Sequence, residues 1–578
     1  MWFCLEWELS RKGICNACMG NHMEEFEKIE TEEKEVKEVK EVKEEVTASG
    51  DIQARISPRD IAGGIIEDLT AIMCAAIFIL VPLYMKNKYF GIGTGKYVVY
   101  RNIMFICLPL LVCFGIWYLF CIRGEIKRGW LKAHLSIVDK AMILYLLCVF
   151  ISFFLSDFKA EAVWGYEGWY MGLLSQISFV LLYFFVSRFG SHGEELLVLL
   201  CCVSFVVYVL GILNRFLIDP LGVYAEIDAK YQIEFLSTLG QSSWYSSFLC
   251  TVLPIGIYFF WSADTLWKSV LSGIYCVIGF STLVTQNSDS AFIALACMLL
   301  ALLGFSVKDG EKMTRFYWVV LFFLGATRLM NLCTSILNTQ VIEQLETFSY
   351  FLIKSPVLWG VIGVNIMLIL IQKYLNKKEK YSIRAGIIAR NVILGIVILV
   401  LLLSILCLYL SGTGKLPESI ARITNQIPYL TWNDMWGNRR GFSWRVTWQM
   451  FKEMNPVDKL FGVGPECYSY YAYSRYKDVL DTMFQGLVLS NAHNEWYNAV
   501  INYGVVGGVA YLGIFVASIA DFRRKAPNIP GLVAIVLVLV AYVSHNIFCY
   551  QQVLCTPFVF CILGVGHWVC QQTQLRKM

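Results

Sequence analysis

Past Arg59 the chain alternates between long apolar stretches and short polar loops, whereas the residues before it are polar and low in complexity. Eleven apolar cores run from Leu69–Leu83 through Val392–Leu410. Three more, near Val505–Ile519, Leu532–Val543 and Val553–Trp568, come after one long polar stretch. With their interfacial residues counted, most approach the ~20 residues a helix needs to cross a bilayer. Apolar residues fill these runs without the two-residue alternation of strands, so the pattern predicts helices buried in lipid. The expected fold is all-α: a polytopic bundle of about 12–14 transmembrane helices with one large extracytoplasmic loop. The chain divides into four regions: a charged tail over 1–60, a first transmembrane bundle over 61–410, a polar loop with amphipathic helices over 411–503, and closing transmembrane helices over 504–578.

Composition agrees, with 57% of the 578 residues hydrophobic and only 16% charged, against about 25% charged in soluble chains. The net charge of +4 is too mild for a nucleic-acid partner. Most of the 20 cysteines lie inside apolar runs, for example Cys201, Cys202, Cys250, Cys297 and Cys407, where a thiol acts as a small hydrophobe. Cys15, Cys18 and His22 make half a metal site with no second half. From Glu33 to Glu45, Lys-Glu-Val recurs every three residues, a solvated helix or a disordered tail. No basic leader with a cleavage site precedes it, and Met23, just before the charged tract, reads as the true start.

Orientation comes from the Lys/Arg bias of short loops. With the N-terminus inside, Arg123, Lys127, Arg128 and Lys132 fall on the cytoplasmic side. So do Lys373, Lys377, Lys378, Lys380 and Arg384, then Arg523, Arg524 and Lys525, and finally Arg576 and Lys577. Outside loops carry Asp219, Glu226, Asp228 and Glu234. The first loop, with Lys86, Lys88, Lys96 and Arg101, is the one exception.

The polar loop from about Ser411 to Asn491 is therefore outside, and a loop that long is usually functional or disordered. Its Trp, Tyr, Gly and Arg content argues for a folded segment. Ser443 is placed to cap a helix running to about Glu453. On it Trp444, Trp448 and Phe451 share one face and Arg445, Gln449 and Lys452 another, as an interfacial helix requires. With Arg439 and Arg440 upstream, the arginines suit a lipid-linked phosphate or diphosphate, since the guanidinium binds phosphate oxygens bidentately. Ordinary head-group anchoring explains them as well. Gly462-Val463-Gly464-Pro465-Glu466 makes a tight turn. Tyr468, Tyr470, Tyr471, Tyr473 and Tyr476 after it either stack on sugars or anchor at the interface. His493, the only histidine in the loop, titrates near neutrality and can take a proton from an attacking hydroxyl. A structural histidine is the plainer alternative. No carboxylates cluster at metal-ligand spacing.

The stretch Arg445…Trp448…Gly462-Val463-Gly464…Ala492-His493-Asn494-Glu495…Tyr503-Gly504-Val505-Val506-Gly507 resembles the signature of the O-antigen ligase/polymerase superfamily. Looser resemblance lies upstream, in Trp164-Gly165-Tyr166-Glu167-Gly168-Trp169 with Gly172, in Thr238-Leu239-Gly240-Gln241 and in Thr285-Gln286-Asn287-Ser288-Asp289-Ser290. Gln241 stands where the family usually has Asn, and Asp289 where it usually has Arg.

The resemblance implies a glycosyltransferase that moves glycan from an undecaprenyl-diphosphate carrier to a glycan acceptor at the outer face of the cytoplasmic membrane, without metal or cofactor. His493 and Arg445 then match the family's functional residues. Arg439, Arg440 or Arg215 would replace the missing phosphate contact, and Glu466, Asn494 and Glu495 would bind substrate or orient the histidine. A lipid-linked oligosaccharide flippase and a noncatalytic scaffold are the competing readings. No internal repeat supports the first, and the second needs no Arg/His constellation.

Overall fold

A computed structural model of the protein describes residues 57–124, 135–337 and 344–575. The expectations for the tail, for Met23, for Cys15, Cys18 and His22, and for Lys127, Arg128, Lys132, Arg576 and Lys577 fall outside these residues. Residues up to Ile61 form a unit separate from Ala62–Met578, and the second unit holds the fold and the site. Among the described residues, ten helices are long and apolar enough to cross a membrane, from Pro58–Leu83 to Glu495–Lys525. Leu173–Phe189, Ser290–Ser306 and Leu532–His545 are shorter apolar helices, and Thr556–Leu575 closes the series. These helices contain the apolar cores read from the sequence, apart from a few end residues such as Met171, Phe216 and Val553. The protein is thus an all-α polytopic membrane protein, built so that spanning backbone satisfies its own hydrogen bonds.

The helices divide by burial. Ser242–Ser262 has 78% of its apolar window buried against neighbours, whereas Ile383–Gly412 has none. The first is a central post, packed on Leu266–Thr285, Leu532–His545 and Gly193–Arg215. The second presents apolar side chains on every face, which only lipid tolerates. Lys96 accounts for part of the charge exception in the first loop. It is buried, and its ammonium donates to the carbonyls of Val81, Pro82 and Tyr84 at 2.9, 3.0 and 3.0 Å. There it caps the end of Pro58–Leu83, where lone carbonyls favour a cation. Lys88 pairs with Glu226 at 3.1 Å.

Residues 413–494 fold into helices Glu418–Thr424, Trp436–Glu453, Pro456–Phe461 and Tyr468–Phe484. They share an apolar core of their own, in which Phe442, Val446 and Met450 form the buried stripe of Trp436–Glu453 and pack with Tyr468, Leu480 and Phe484. The aromatic face expected on that helix is split: Trp448 is 58% exposed, Phe451 stacks on it at 5.8 Å, and Trp444 turns inward to donate to Ala492 O at 3.1 Å. Ser443 is not a cap. The right-handed helix runs from Arg440, after the left-handed residues Gly437, Asn438 and Arg439, and the Ser443 hydroxyl donates to Arg439 O one turn back. The tyrosines mostly serve packing. Tyr468 is buried on Thr447, Tyr470 stacks on Phe158, and Tyr476 donates to Glu453.

A backbone clasp ties this segment to the bundle. The Glu495–Lys525 helix breaks at Gly504 (φ 69°, ψ 178°), a conformation essentially restricted to glycine. The break exposes carbonyls that the glycine turn collects: Val463 N–H donates to Ile501 O at 3.0 Å and Gly464 N–H to Asn502 O at 3.2 Å. Asn502 Oδ1 accepts from Tyr468 N–H, and Ser156 Oγ donates to Val463 O. A Cβ at Gly504 would stand 2.2 Å from the Leu460 carbonyl, and one at Gly462 would stand 2.3 Å from Asn502 O.

Gly504→Ala should therefore abolish the monodisperse peak of detergent-solubilised protein on size exclusion. Gly513→Ala, nine residues on with open space around it, should leave that peak intact and gain the small helix preference of alanine. Equal behaviour of the two variants would remove the clasp from its structural role.

Candidate active site

Arg440 is the centre of the candidate site. It is carried in by a run of left-handed residues, Gly437 (φ 59°), Asn438 (φ 59°) and Arg439 (φ 66°). Left-handed backbone costs roughly 1–2 kcal/mol at each non-glycine position, so the surrounding packing must hold this entry in place. Its guanidinium donates to Gly437 O at 2.7 Å and to Phe548 O at 3.1 Å, the latter in the loop between the last two helices. Nε is buried with no partner. Burial holds the guanidinium below its ordinary range.

His493 faces it from another loop. Asn491 Oδ1 accepts the His493 N–H at 2.9 Å, Asn498 Oδ1 accepts that of Ala492 at 2.9 Å, and Asn494 caps the Glu495–Lys525 helix by accepting from Trp496 and Tyr497. These three asparagines fix His493 in a left-handed conformation (φ 49°). Its ring stands edge-on to Tyr550 at 5.4 Å. Burial first, and then the Arg440 charge, lower its pKa to about 3. The imidazole is therefore neutral at physiological pH, with a lone pair to offer.

The three upstream motifs converge here. Trp169, from the glycine-aromatic stretch, packs edge-on against Tyr550 at 4.8 Å and against Trp244 at 5.2 Å. Trp244, just after the Gly240-Gln241 turn, donates to the Tyr550 hydroxyl at 3.4 Å. Ser290 and Ser246 meet His545 Nε2 at 3.2 and 3.0 Å. Asp289 accepts from the Tyr429 hydroxyl. Arg440 acts electrostatically on His545 as well as on His493. Burial raises the carboxyls of Asp289 and Glu346, and Arg440 opposes the rise at Glu346. Trp169 belongs to a stretch the sequence points to, whereas His545, Tyr550 and Trp244 stand in no motif read from it. Ser544-His545-Asn546 at the end of an apolar run was the available signal, since polar residues at that depth are seldom incidental.

The other candidates lie elsewhere. Arg445 is five residues past Arg440, about 140° around the helix. It forms a bidentate pair with Asp434, Nε to Oδ1 at 2.9 Å and Nη2 to Oδ2 at 2.6 Å, and that pairing raises its pKa. With Arg439 it lines an open groove of about 580 Å³ that also holds Asp434, Asp478 and Met483. Glu466, expected to bind substrate, is buried and committed to backbone: it accepts from Tyr166 N–H at 3.2 Å and from Met171 N–H. Asn494 is occupied as a helix cap. Glu495 is buried and accepts from Gln551 N–H at 2.7 Å, tying its helix to the 546–555 loop. Arg215 is 1% exposed beneath the Phe235–Leu236 and Gly240–Gln241 hairpin; it donates to Ile233 O at 3.0 Å, while Nε and Nη2 have no partner. Among the described residues no three His, Cys, Asp or Glu side chains gather as a metal site.

A half-buried arginine after a left-handed turn and a half-buried left-handed histidine, on a segment clasped to a helical bundle, form a candidate site for an anionic group. Residues 347–512 match the O-antigen ligase family, and the chain is O-antigen ligase/polymerase-like, a glycosyltransferase-type protein of polysaccharide assembly. The match holds Arg439, Arg440, Arg445, Glu466 and His493, and leaves out Trp169, Arg215, Trp244 and His545. No curated protein matches the chain.

The depressed pKa of His493 links to stability. Below the unfolded value of 6.5 the unfolded chain binds a proton that the folded site rejects until about pH 3, so stability is full above pH 6.5 and falls as pH drops through that window. Between pH 6.5 and 5 the loss from this group is about 1–2 kcal/mol, roughly 1–2 °C in Tm for a chain this long. His493→Gln should flatten that part of the Tm-against-pH curve. An unchanged slope would mean the imidazole is not held neutral.

Proposed function

We propose that the protein transfers a glycan from an undecaprenyl-diphosphate carrier to a sugar acceptor at the outer face of the cytoplasmic membrane, in assembly of a cell-surface polysaccharide. The carrying observation is the fixed Arg440 guanidinium, with a buried unpartnered Nε, beside a neutral His493 inside the family-matched segment. In this reading the acceptor hydroxyl attacks the anomeric carbon of the donor sugar. The carbon–oxygen bond to the diphosphate breaks, and the leaving oxygen takes the electron pair. The hydroxyl proton passes to His493. Arg440 meets the charge growing on the diphosphate, the electrostatic role that makes a good leaving group better.

Arg440 also couples the two halves of the chemistry. While it is uncompensated, its charge keeps His493 a weak base. Diphosphate bound to Arg440 offsets that charge and raises the affinity of His493 for a proton, so basicity appears when the donor is in place. Arg439 and Arg445, on the open groove, are suited to the glycan or to a phosphate on its way in. Arg215, beneath the hairpin, is the remaining candidate for a second phosphate contact. The Lys/Arg-rich loops favour both termini in the cytoplasm, and the commitments of Lys96 and Lys88 weaken the one dissenting loop.

The test uses purified full-length protein in lipid nanodiscs, undecaprenyl-diphosphate oligosaccharide from the native host and EDTA. Wild type should yield product: a ladder if the acceptor is another repeat unit, a single addition if it is a separate anchor. His493→Ala should lower transfer by roughly 10²–10⁴-fold, and Arg440→Gln by a similar factor, without loss of the monodisperse peak. Arg445→Gln should act mainly on KM. Wild-type protein that binds the donor and makes no product, or a His493→Ala variant of normal rate, would overturn the assignment.

A further inference from the structure

At the end of the bundle away from the 413–494 segment, a cavity of about 600 Å³ opens between the helices Ser242–Ser262, Leu266–Thr285, Gly310–Leu337 and Val357–Lys377, a volume within the range of ligand sites. Helix alternation fixes the location: Lys373 is near the end of Val357–Lys377, the next helix starts at Ile383 on that side, and it reaches the far side at Gly412 before the extramembrane segment begins. The walls are apolar, with Phe260, Ile274, Ile278 and Phe322 among them. Ile274 and Val270 are each 50% exposed on the open side, which faces lipid.

Charge is confined to one end. Arg315 lies 5.2 Å over the Phe260 ring and spends one nitrogen on Ser269 Oγ at 2.9 Å and another, more loosely, on Ala263 O at 3.4 Å. Lys373 stands 5.7 Å over the Trp318 ring. Glu311 is the one carboxylate in the lining. Two cations against one anion leave a single positive charge. Lys373 sits four residues from its helix end, about 6 Å along the axis, at head-group depth. An apolar slot that opens sideways to the bilayer and ends in one net positive charge at that depth matches a lipid tail under one phosphodiester. A soluble anion would leave the apolar walls unused.

We propose that this groove is a binding site for an anionic phospholipid of the phosphatidylglycerol type, with an acyl chain along Ile274 and Phe322 and the phosphate between Arg315 and Lys373. Basic pockets between transmembrane helices on the cytoplasmic side recognise lipid head groups in this way. The site is independent of glycan transfer and stands or falls without it.

The test is native mass spectrometry of full-length protein released from nanodiscs of equal phosphatidylglycerol and phosphatidylcholine. Wild type should retain one phosphatidylglycerol at least 5-fold in preference to phosphatidylcholine. The double variant Arg315→Gln, Lys373→Gln should lose the preference, while Arg523→Gln, Arg524→Gln, which removes equal charge elsewhere on the same side, should keep it. Ile274→Trp, which fills the slot and leaves the cations, should also lose the bound lipid, and it decides the matter if the double variant fails to fold. Absence of preference in wild type, or its survival in both the double variant and Ile274→Trp, overturns the proposal.

Discussion

Two backbone hydrogen bonds, Val463 N–H to Ile501 O and Gly464 N–H to Asn502 O, join a water-facing segment to a helix that enters lipid. A helix broken at the membrane boundary leaves carbonyls that neither lipid nor the helix can satisfy. The glycine turn supplies the missing donors and must come within van der Waals distance to do so. Hence both strands of the clasp carry glycines at positive φ, Gly462 and Gly504. Nine residues before the break is the Asn491–Glu495 loop that holds His493. Any looseness in the clasp is therefore looseness in the histidine, and the motif's glycines act by permitting this close backbone approach.

Strain gathers at the same place. Asn438, Arg439, Glu466 and His493 are all non-glycine residues in left-handed conformation, and three of the four lie next to or within the Arg440–His493 pair. Such positions persist only where the surroundings over-determine them. Here the surroundings are identifiable: the asparagine bonds around His493, the Phe548 carbonyl on Arg440, and the backbone donors on Glu466. Asn491, Asn498 and the Asn494 helix cap are spent on holding the His493 loop, and Glu466 on holding the backbone at Tyr166 and Met171.

This explains what was legible in the sequence and what was not. The apolar cores were readable because lipid imposes a simple rule on every residue of a span, and Leu69–Leu83 or Val392–Leu410 obey it without help from distant contacts. A candidate site between Arg439 and Glu495 could be named from sequence for a similarly local reason, density of arginine, glycine and histidine in an otherwise apolar chain. Its wiring was not. The choice between Arg440 and Arg445 depends on where the helix starts, and three left-handed residues before Arg440 are invisible to a periodicity argument. Glu466 looked available because its partners, Tyr166 and Met171, lie some 300 residues earlier. Lys96 looked like a loop charge because nothing local shows that it caps a helix end.

Asp289 occupies the position where an arginine was expected, and its surroundings show how the site tolerates the exchange. An ionised carboxylate there would repel an anion approaching Arg440. Burial makes that charge unfavourable at Asp289 and at Glu346, and the Tyr429 hydroxyl donates to Asp289. Arg440 lies close enough to lower the cost of ionisation at Glu346. Glu346 and the cation thus bias one another: without a bound anion, Glu346 offsets part of the buried charge of Arg440. When an anion takes over that offset, Glu346 loses the support of Arg440 and is driven toward its protonated form. In the proposed transfer reaction, the same electrostatic exchange that raises the basicity of His493 also removes negative charge at Glu346.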